Sequence, residues 1–189
     1  MLTSCVNSQT PTFHTIEYAS FHFNSYRTEK KDSVYIDMYY TISKNGLIEI
    51  NNNDDYHKRH TYYSFQLTQT EISKLDSVFN QRHKLTTYLA NTKMEDNSFY
   101  AGSYDFFRVT YSNGSIDSIC IIQPFMSKDL EITYKFLDST VYERDDKIQV
   151  KEFDVPNYFK LSLKKSYLKS TYLPAIKTVP AFRLRDQRK

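Results

Sequence analysis

Hydrophobic and polar residues alternate in a way that predicts two β-hairpins. The segments 34–50 and 104–122 are rich in β-branched and aromatic residues, and one Asn-Gly pair interrupts each, Asn45-Gly46 and Asn113-Gly114. Asn-Gly tolerates the positive φ angles of a type I′ turn, whose twist matches that of paired strands. We therefore expect two hairpins that turn at these dipeptides.

Further strands are expected beside the hairpins. Residues 14–25 and 62–67 contain alternating apolar and aromatic side chains, and both segments suit strands. Between the first hairpin and the second of these strands lies the segment 51–60, NNNDDYHKRH. This segment is too polar to pack, so we expect an exposed loop there.

Two helices are expected, over about 68–82 and 127–143. Thr68 and Glu71 have the spacing of a capping box, in which the threonine hydroxyl and the glutamate carboxylate satisfy free backbone amides. Ser127 is placed to cap the second helix. Apolar residues then recur at helical spacing in both segments: Ile72, Leu75, Val78 and Phe79 in the first, and Leu130, Tyr134, Leu137 and Val141 in the second.

These elements together predict an α+β domain. Its sheet would be mostly antiparallel, built from the two Asn-Gly hairpins and flanking strands, with the two helices packed on one face. We expect a signal remnant and polar tether at 1–13, the domain at 14–155, and a basic C-terminal extension at 156–189. The extension is ambiguous, because Phe159, Leu161 and Leu163 alternate like a strand, whereas Leu161, Leu168 and the lysines between them suit an amphipathic helix.

Composition supports one soluble domain and excludes some functions. The chain has 189 residues with 17 Tyr and 13 Phe, and large rings bury much area per residue. No apolar run approaches the roughly 20 residues that span a bilayer. The three glycines are isolated, which excludes a P-loop or a Rossmann turn, and no Gly-x-Ser-x-Gly elbow is present. We therefore predict no enzyme activity and no cofactor.

The extreme N-terminus resembles a bacterial lipobox. Leu2, Thr3 and Ser4 fill the three positions that precede the acceptor cysteine in that motif, and Cys5 fills the acceptor position. The resemblance implies that Cys5 is diacylated and that cleavage makes it the mature N-terminus. A basic segment and an apolar stretch precede such a motif, and only Met1 precedes Leu2 here. Either the true start lies upstream of Met1, or the chain was trimmed, or the match is accidental.

Taken as a whole, the chain is similar to small lipoproteins common in Bacteroidota. These join a lipobox to a Tyr-, Lys- and Asn-rich domain of hairpins and helices, a likeness of style that covers about 2–145. The resemblance implies a non-catalytic binding or structural domain in the cell envelope, held to a membrane through Cys5 and facing outside the cytoplasm. It implies no catalytic residues, and the partner stays open.

A second interpretation uses the basic C-terminus. From Lys160 onward nine Lys and Arg residues stand against Asp186 alone, so the rest of the chain is acidic. If Met1 is the true start, the chain is expected in the cytoplasm, where this segment could bind nucleic acid or another polyanion. We favour it less, because a basic tail is usually a solvated end. Its candidate residues are Lys164, Lys165, Lys169, Arg183, Arg185 and Arg188.

A third interpretation is a metal-dependent enzyme that uses the segment 54–60. Asp54, Asp55, His57 and His60 are metal-ligand types, and His-x-x-His can chelate on a turn. Lys58 and Arg59 lie between the histidines and oppose a cation, so a solvated loop is the favoured interpretation of this segment. Cys120 is the other reactive type, and its strand-like surroundings predict a buried free thiol.

Overall fold

A computed structural model describes residues 10–23, 34–54, 59–94, 100 and 102–174. Its described elements are seven strands and three α-helices, with two short 3-10 turns at Leu85–Tyr88 and Gln123–Phe125. The strands are β1 (Phe13–Phe23), β2 (Val34–Ser43), β3 (Leu47–Asp54), β4 (Arg59–Gln66), β5 (Tyr104–Tyr111), β6 (Ile116–Ile121) and β7 (Ile148–Gln149). The helices are α1 (Gln69–Phe79), α2 (Lys128–Glu143) and α3 (Asn157–Lys169).

One sheet contains all seven described strands in the order β6-β5-β1-β2-β3-β4-β7. Every pairing between them is antiparallel. The two predicted hairpins are β2–β3 and β5–β6, and β1 lies between them. Ile16 and Ala19 of this central strand are fully buried, on opposite faces of the sheet. The predicted α+β class and the antiparallel sheet are confirmed.

Both hairpins turn at the predicted glycines. Gly46 has a φ of +83° and Gly114 has a φ of +81°, and residues other than glycine rarely adopt this backbone conformation. A Cβ added at Gly46 would lie 2.6 Å from Cδ1 of Ile72, whereas a Cβ at Gly114 would meet nothing within 4 Å. The Cα of Gly46 therefore faces the side chain of Ile72 in α1, whereas the Cα of Gly114 faces open space.

This difference predicts unequal effects of the same substitution. Gly114→Ala should destabilise the domain by about 1–2 kcal/mol through backbone strain alone. Gly46→Ala should destabilise it by at least about 1 kcal/mol more, because Ile72 is buried and must shift. Urea unfolding of both variants measures the difference. Equal losses would show that the first turn does not pack against α1.

The two turns lie at the same end of the sheet, which we call the turn end. β1 begins there, since Phe13 pairs with Tyr111 and Thr15 pairs with Ser43. The opposite end, which we call the far end, holds the last residues of β1 and β3 and the first residues of β2 and β4. The chain therefore enters the sheet at the turn end.

Helices α1 and α2 cover one face of the sheet, as predicted. Thr68 and Glu71 form the expected capping box, and the Ser127 hydroxyl accepts from the backbone amide of Leu130 at the start of α2. The ring centroid of Phe79 in α1 lies 5.7 Å from that of Phe107 in β5. We call this side of the sheet the α1–α2 face.

Helix α3 packs on the opposite face, which we call the α3 face. Phe159 and Leu163 are buried, and the ring centroid of Phe159 lies 5.1 Å from that of Phe106. These two side chains are four residues apart and form an apolar stripe on the helix, which is buried against the sheet. The core therefore extends past residue 155, where we expected the domain to end. No helix among the described residues combines the length and apolar character needed to cross a membrane.

The prediction of a loop over 51–60 is wrong at both ends of that segment, where the structure has strands. β3 continues to Asp54 and β4 begins at Arg59, with Asn53 opposite His60 in the register. Polar side chains suit these strand ends because that part of the α3 face is not covered by α3. Residues 55–58 lie outside the described part of the chain.

Candidate ligand-binding groove

A cavity of about 610 Å³ lies on the α3 face, towards the far end of the sheet. We call it the sheet groove. Its floor is the part of β2, β3 and β4 that α3 leaves open, and its walls are α3 and the segment 152–155 that leads into it. The groove is lined by polar and charged side chains, which include Asn51, Asn53, His60, Tyr62, Glu152, Asp154 and Lys160, and by apolar Val34, Ile36, Val155 and Leu163.

The floor of the groove carries two asparagines held by backbone carbonyls. Asn51 and Asn53 are two residues apart in β3, so both side chains stand on the α3 face. Nδ2 of Asn51 donates to the carbonyl of Phe153 at 2.8 Å, and Nδ2 of Asn53 donates to that of Ile36 at 3.3 Å. The first bond also ties the wall to the floor, so the groove has its shape without a ligand.

The wall facing these asparagines is acidic. The hydroxyl of Tyr62 donates to Oε1 of Glu152 at 3.3 Å. Desolvation and then the negative charge of Glu152 raise the pKa of Tyr62, so its hydroxyl stays a donor at neutral pH. Asp154 adds a second carboxylate and Lys160 adds one cation. The groove thus offers amide, hydroxyl and carboxylate groups around apolar side chains, which suits a hydrogen-bonding ligand.

The candidate metal ligands are only partly described. His60 is exposed in β4 and lines the groove. Asp55 and His57 lie outside the described residues, and so does the side chain of Asp54. Among the side chains that the structure does describe, no three His, Cys, Asp or Glu groups are placed to hold a metal ion. The metal-dependent interpretation, which sequence analysis favoured less than a solvated loop, therefore stays an untested hypothesis.

The candidate cationic residues divide in the same way. Lys164, Lys165 and Lys169 are exposed on α3, and Lys165 and Lys169 line a second cavity. Arg183, Arg185, Arg188 and the lipidation candidate Cys5 lie outside the described residues. Cys120 is a buried free thiol in β6, as predicted.

Sequence reasoning missed a buried ion pair beneath the start of α3. Glu17 in β1 is 2% exposed and is paired with Arg108 in β5. The carboxylate also accepts from the hydroxyls of Tyr39 at 3.1 Å and Tyr158 at 2.8 Å. The guanidinium lies 5.0 Å from the ring centroid of Tyr158. This cluster ties the first turn of α3 to the middle of the sheet.

A second buried acid lies on the α1–α2 face. Asp105 in β5 is 3% exposed and accepts from the hydroxyl of Tyr18 at 2.6 Å. Burial raises the pKa of Asp105 to about 7, against the hydrogen bond from Tyr18, and Asp138 adds to the rise. A cavity of about 60 Å³ lies beside Tyr18, Tyr134 and Asp138. For both buried acids the available signal was a carboxylate that stands between apolar or aromatic neighbours in a strand, Ile16 and Tyr18 around Glu17 and Tyr104 and Phe106 around Asp105.

Comparison of the chain with protein-family models, curated proteins and solved structures found no match.

Proposed function

We propose that this chain is a non-catalytic binding domain of the cell envelope, anchored to a membrane through lipid on Cys5. Leu2, Thr3 and Ser4 before Cys5 support the anchor. The sheet groove supports the binding role. The observation that carries the proposal is the position of the groove relative to the entry of the chain into the sheet.

The tether behind the anchor is short. Seven residues, Val6 to Thr12, separate Cys5 from Phe13, the first residue of β1. Eight steps of extended chain reach at most about 25–30 Å. A diacylated Cys5 would hold the domain at this distance without a spanning helix, because two acyl chains anchor stably whereas one holds only marginally.

The groove lies at the other end of the sheet from this tether. β1 enters at the turn end, and its 11 residues extend about 35 Å towards the far end. Val34, Asn53 and His60 of the groove belong to the far end. A short tether at the turn end would present the groove away from the bilayer, where it is open to a ligand outside the cytoplasm.

The groove is built for binding before any ligand arrives. The hydrogen bonds of Asn51 and Asn53 to backbone carbonyls fix these side chains, and Tyr62 is held by Glu152. Fixed polar groups lower the entropy lost on association. Such an arrangement favours a ligand that presents alternating donors and acceptors over one that is mainly apolar.

Metabolic labelling with an alkyne fatty acid tests the anchor. We expect label on the product of the full gene, expressed with its upstream codons in a bacterium that processes lipoproteins, and no label on Cys5→Ser. Cys120→Ser is the matched control and should keep the label, because Cys120 is 0% exposed and burial raises the pKa of its thiol to about 12. Unlabelled protein with a free Cys5 thiol, or label that survives in Cys5→Ser, would contradict the proposal.

A further inference from the structure

A second cavity, of about 380 Å³, lies on the other side of α3 from the sheet groove. It is bounded by α3 and by β6, which is an edge strand of the sheet. The described residues that line it carry six hydroxyl groups and two ammonium groups, and they include one aliphatic residue, Ile119. We call this cavity the Ser–Lys pocket. Its chemistry is cationic and hydroxyl-rich, in contrast to the acidic wall of the groove.

The sequence of α3 explains why these groups share one side. Ser162, Lys165, Ser166 and Lys169 follow the spacing i, i+3, i+4, i+7, which places them on one face of a helix. The buried stripe of the same helix sets its rotation against the sheet. That rotation turns the Ser–Lys stripe towards Ser118 at the edge of β6.

Hydrogen bonds at the end of α3 hold the frame of the pocket. The hydroxyl of Tyr172 donates to the carbonyl of Cys120 in β6, so the chain after α3 is fastened to the edge strand. The hydroxyl of Ser170 donates to the carbonyl of Ser166 at 2.8 Å and lies 3.2 Å from the Tyr172 hydroxyl oxygen. The lining groups are therefore presented from elements that are fixed to one another.

The two charged side chains that line the pocket are both cations, and they oppose the partial negative charge at the C-terminal end of α3. Lys165 and Lys169 are exposed at the pocket, and the nearest acid along β6 is Asp117. The Asp117 carboxylate accepts from the backbone amides of Leu85 at 2.7 Å and Ser118 at 2.8 Å, which offsets part of its charge. Lysine in the last turn also stabilises a helix through the macrodipole. That role accounts for Lys169, but it does not account for Lys165 or for the hydroxyl groups.

We infer that the Ser–Lys pocket binds a phosphate monoester group. Ser170 and Tyr172 donate to backbone carbonyls, so the donors offered to phosphate are the other lining hydroxyls and the two ammonium groups. Serine and threonine hydroxyls can rotate to donate, and lysine ammonium groups form charge-assisted hydrogen bonds with phosphate oxygens. The group could belong to a soluble sugar phosphate or to a phosphatidate headgroup, since both present the same oxyanion. The inference does not depend on lipidation of Cys5, and it concerns a different cavity from the groove.

Isothermal titration calorimetry of the purified domain with inorganic phosphate tests the inference. We expect a Kd of about 1 mM or tighter for the unmodified domain. Lys165→Met and Lys169→Met should each weaken binding about tenfold, through the loss of one charge-assisted hydrogen bond. Lys164→Met is the matched control, because Lys164 is an exposed neighbour on the same helix that does not line the pocket. It should change Kd by less than about twofold.

Two results would overturn the inference. One is the absence of phosphate binding by the unmodified domain. The other is an equal loss in all three lysine variants, which would indicate diffuse attraction to a basic helix. Circular dichroism checks that each variant is folded, and Ser162→Ala, which keeps both charges, should weaken binding while the helix stays intact. Glucose 6-phosphate compared with phosphatidate in phosphatidylcholine vesicles then distinguishes a soluble ligand from a lipid.

Discussion

Replacing Arg108 with Met is expected to destabilise the domain by about 3–5 kcal/mol. The side chain of Arg108 is 13% exposed, and its partner Glu17 is 2% exposed. Without the guanidinium, the carboxylate stays buried with only the hydroxyls of Tyr39 and Tyr158 for compensation. The loss should lower the melting temperature by roughly 10 °C or more in a domain of this size.

Two comparisons isolate the ion pair. Arg82→Met removes an exposed arginine and should change stability by less than about 0.5 kcal/mol. The double variant Glu17→Met/Arg108→Met should be more stable than Arg108→Met alone, because it leaves no buried charge unpaired. An Arg108→Met protein as stable as Arg82→Met would show that Glu17 is not held as described.

Replacing Asp105 with Asn is expected to remove a dependence of stability on pH. The pKa of Asp105 is about 7 in the folded domain, against an ordinary value of 3.8. Between these values the folded state keeps a proton that the unfolded state has released. Stability therefore falls as pH rises from about 4 to 7, by about 4 kcal/mol for this group. Asn cannot ionise and still accepts from Tyr18, so Asp105→Asn should lack this fall.

Urea unfolding at pH 5 and pH 8 measures the free energy of unfolding of Asp105→Asn and of the unmodified domain at each pH. Asp105→Asn should gain stability relative to the unmodified domain at both pH values, and clearly more at pH 8 than at pH 5. Asp154→Asn, which neutralises an exposed acid in the groove, should keep the pH dependence of the unmodified domain. Parallel changes in the Asp105→Asn and unmodified proteins would contradict the burial of an ionisable Asp105.

Local chemistry made much of the fold predictable from the sequence. Asn45-Gly46 and Asn113-Gly114 determine turn conformations within two residues, and Thr68 with Glu71 determines a helix start within four. The place of β1 between the two hairpins was not predictable in this way. It depends on contacts such as Thr15 with Ser43, which no local pattern encodes.

Tertiary packing explains the parts that sequence analysis missed. The segment around Phe159 suited both a strand and a helix, and only the open α3 face makes the helix the better solution. The helix was expected from Leu161 and Leu168, which are both 70% exposed, whereas Phe159 and Leu163 are the side chains that it buries. Asn51 and Asn53 looked too polar for a strand because the pattern does not show that their face is left uncovered. The burial of Glu17 was missed because its partner Arg108 is 91 residues away in the sequence, and no local pattern links the two.

The candidate sites, too, were predictable only where single residues could be recognised in the sequence. Of the residues singled out from the sequence, His60 lines the sheet groove, and Lys165 and Lys169 line the Ser–Lys pocket. The groove is completed by strand asparagines and by the segment before α3, which meet only in the folded domain. α3 thus separates an acidic groove from a cationic pocket, and we expect the two cavities to bind ligands of different charge.

The most direct measurement of the proposed function is the mass of the mature protein extracted from the membranes of the organism that encodes it. Our account predicts a chain whose first residue is Cys5, carrying the mass of a thioether-linked diacylglycerol. A mature chain that retains Met1 to Ser4, with Cys5 as a free thiol, would contradict the account.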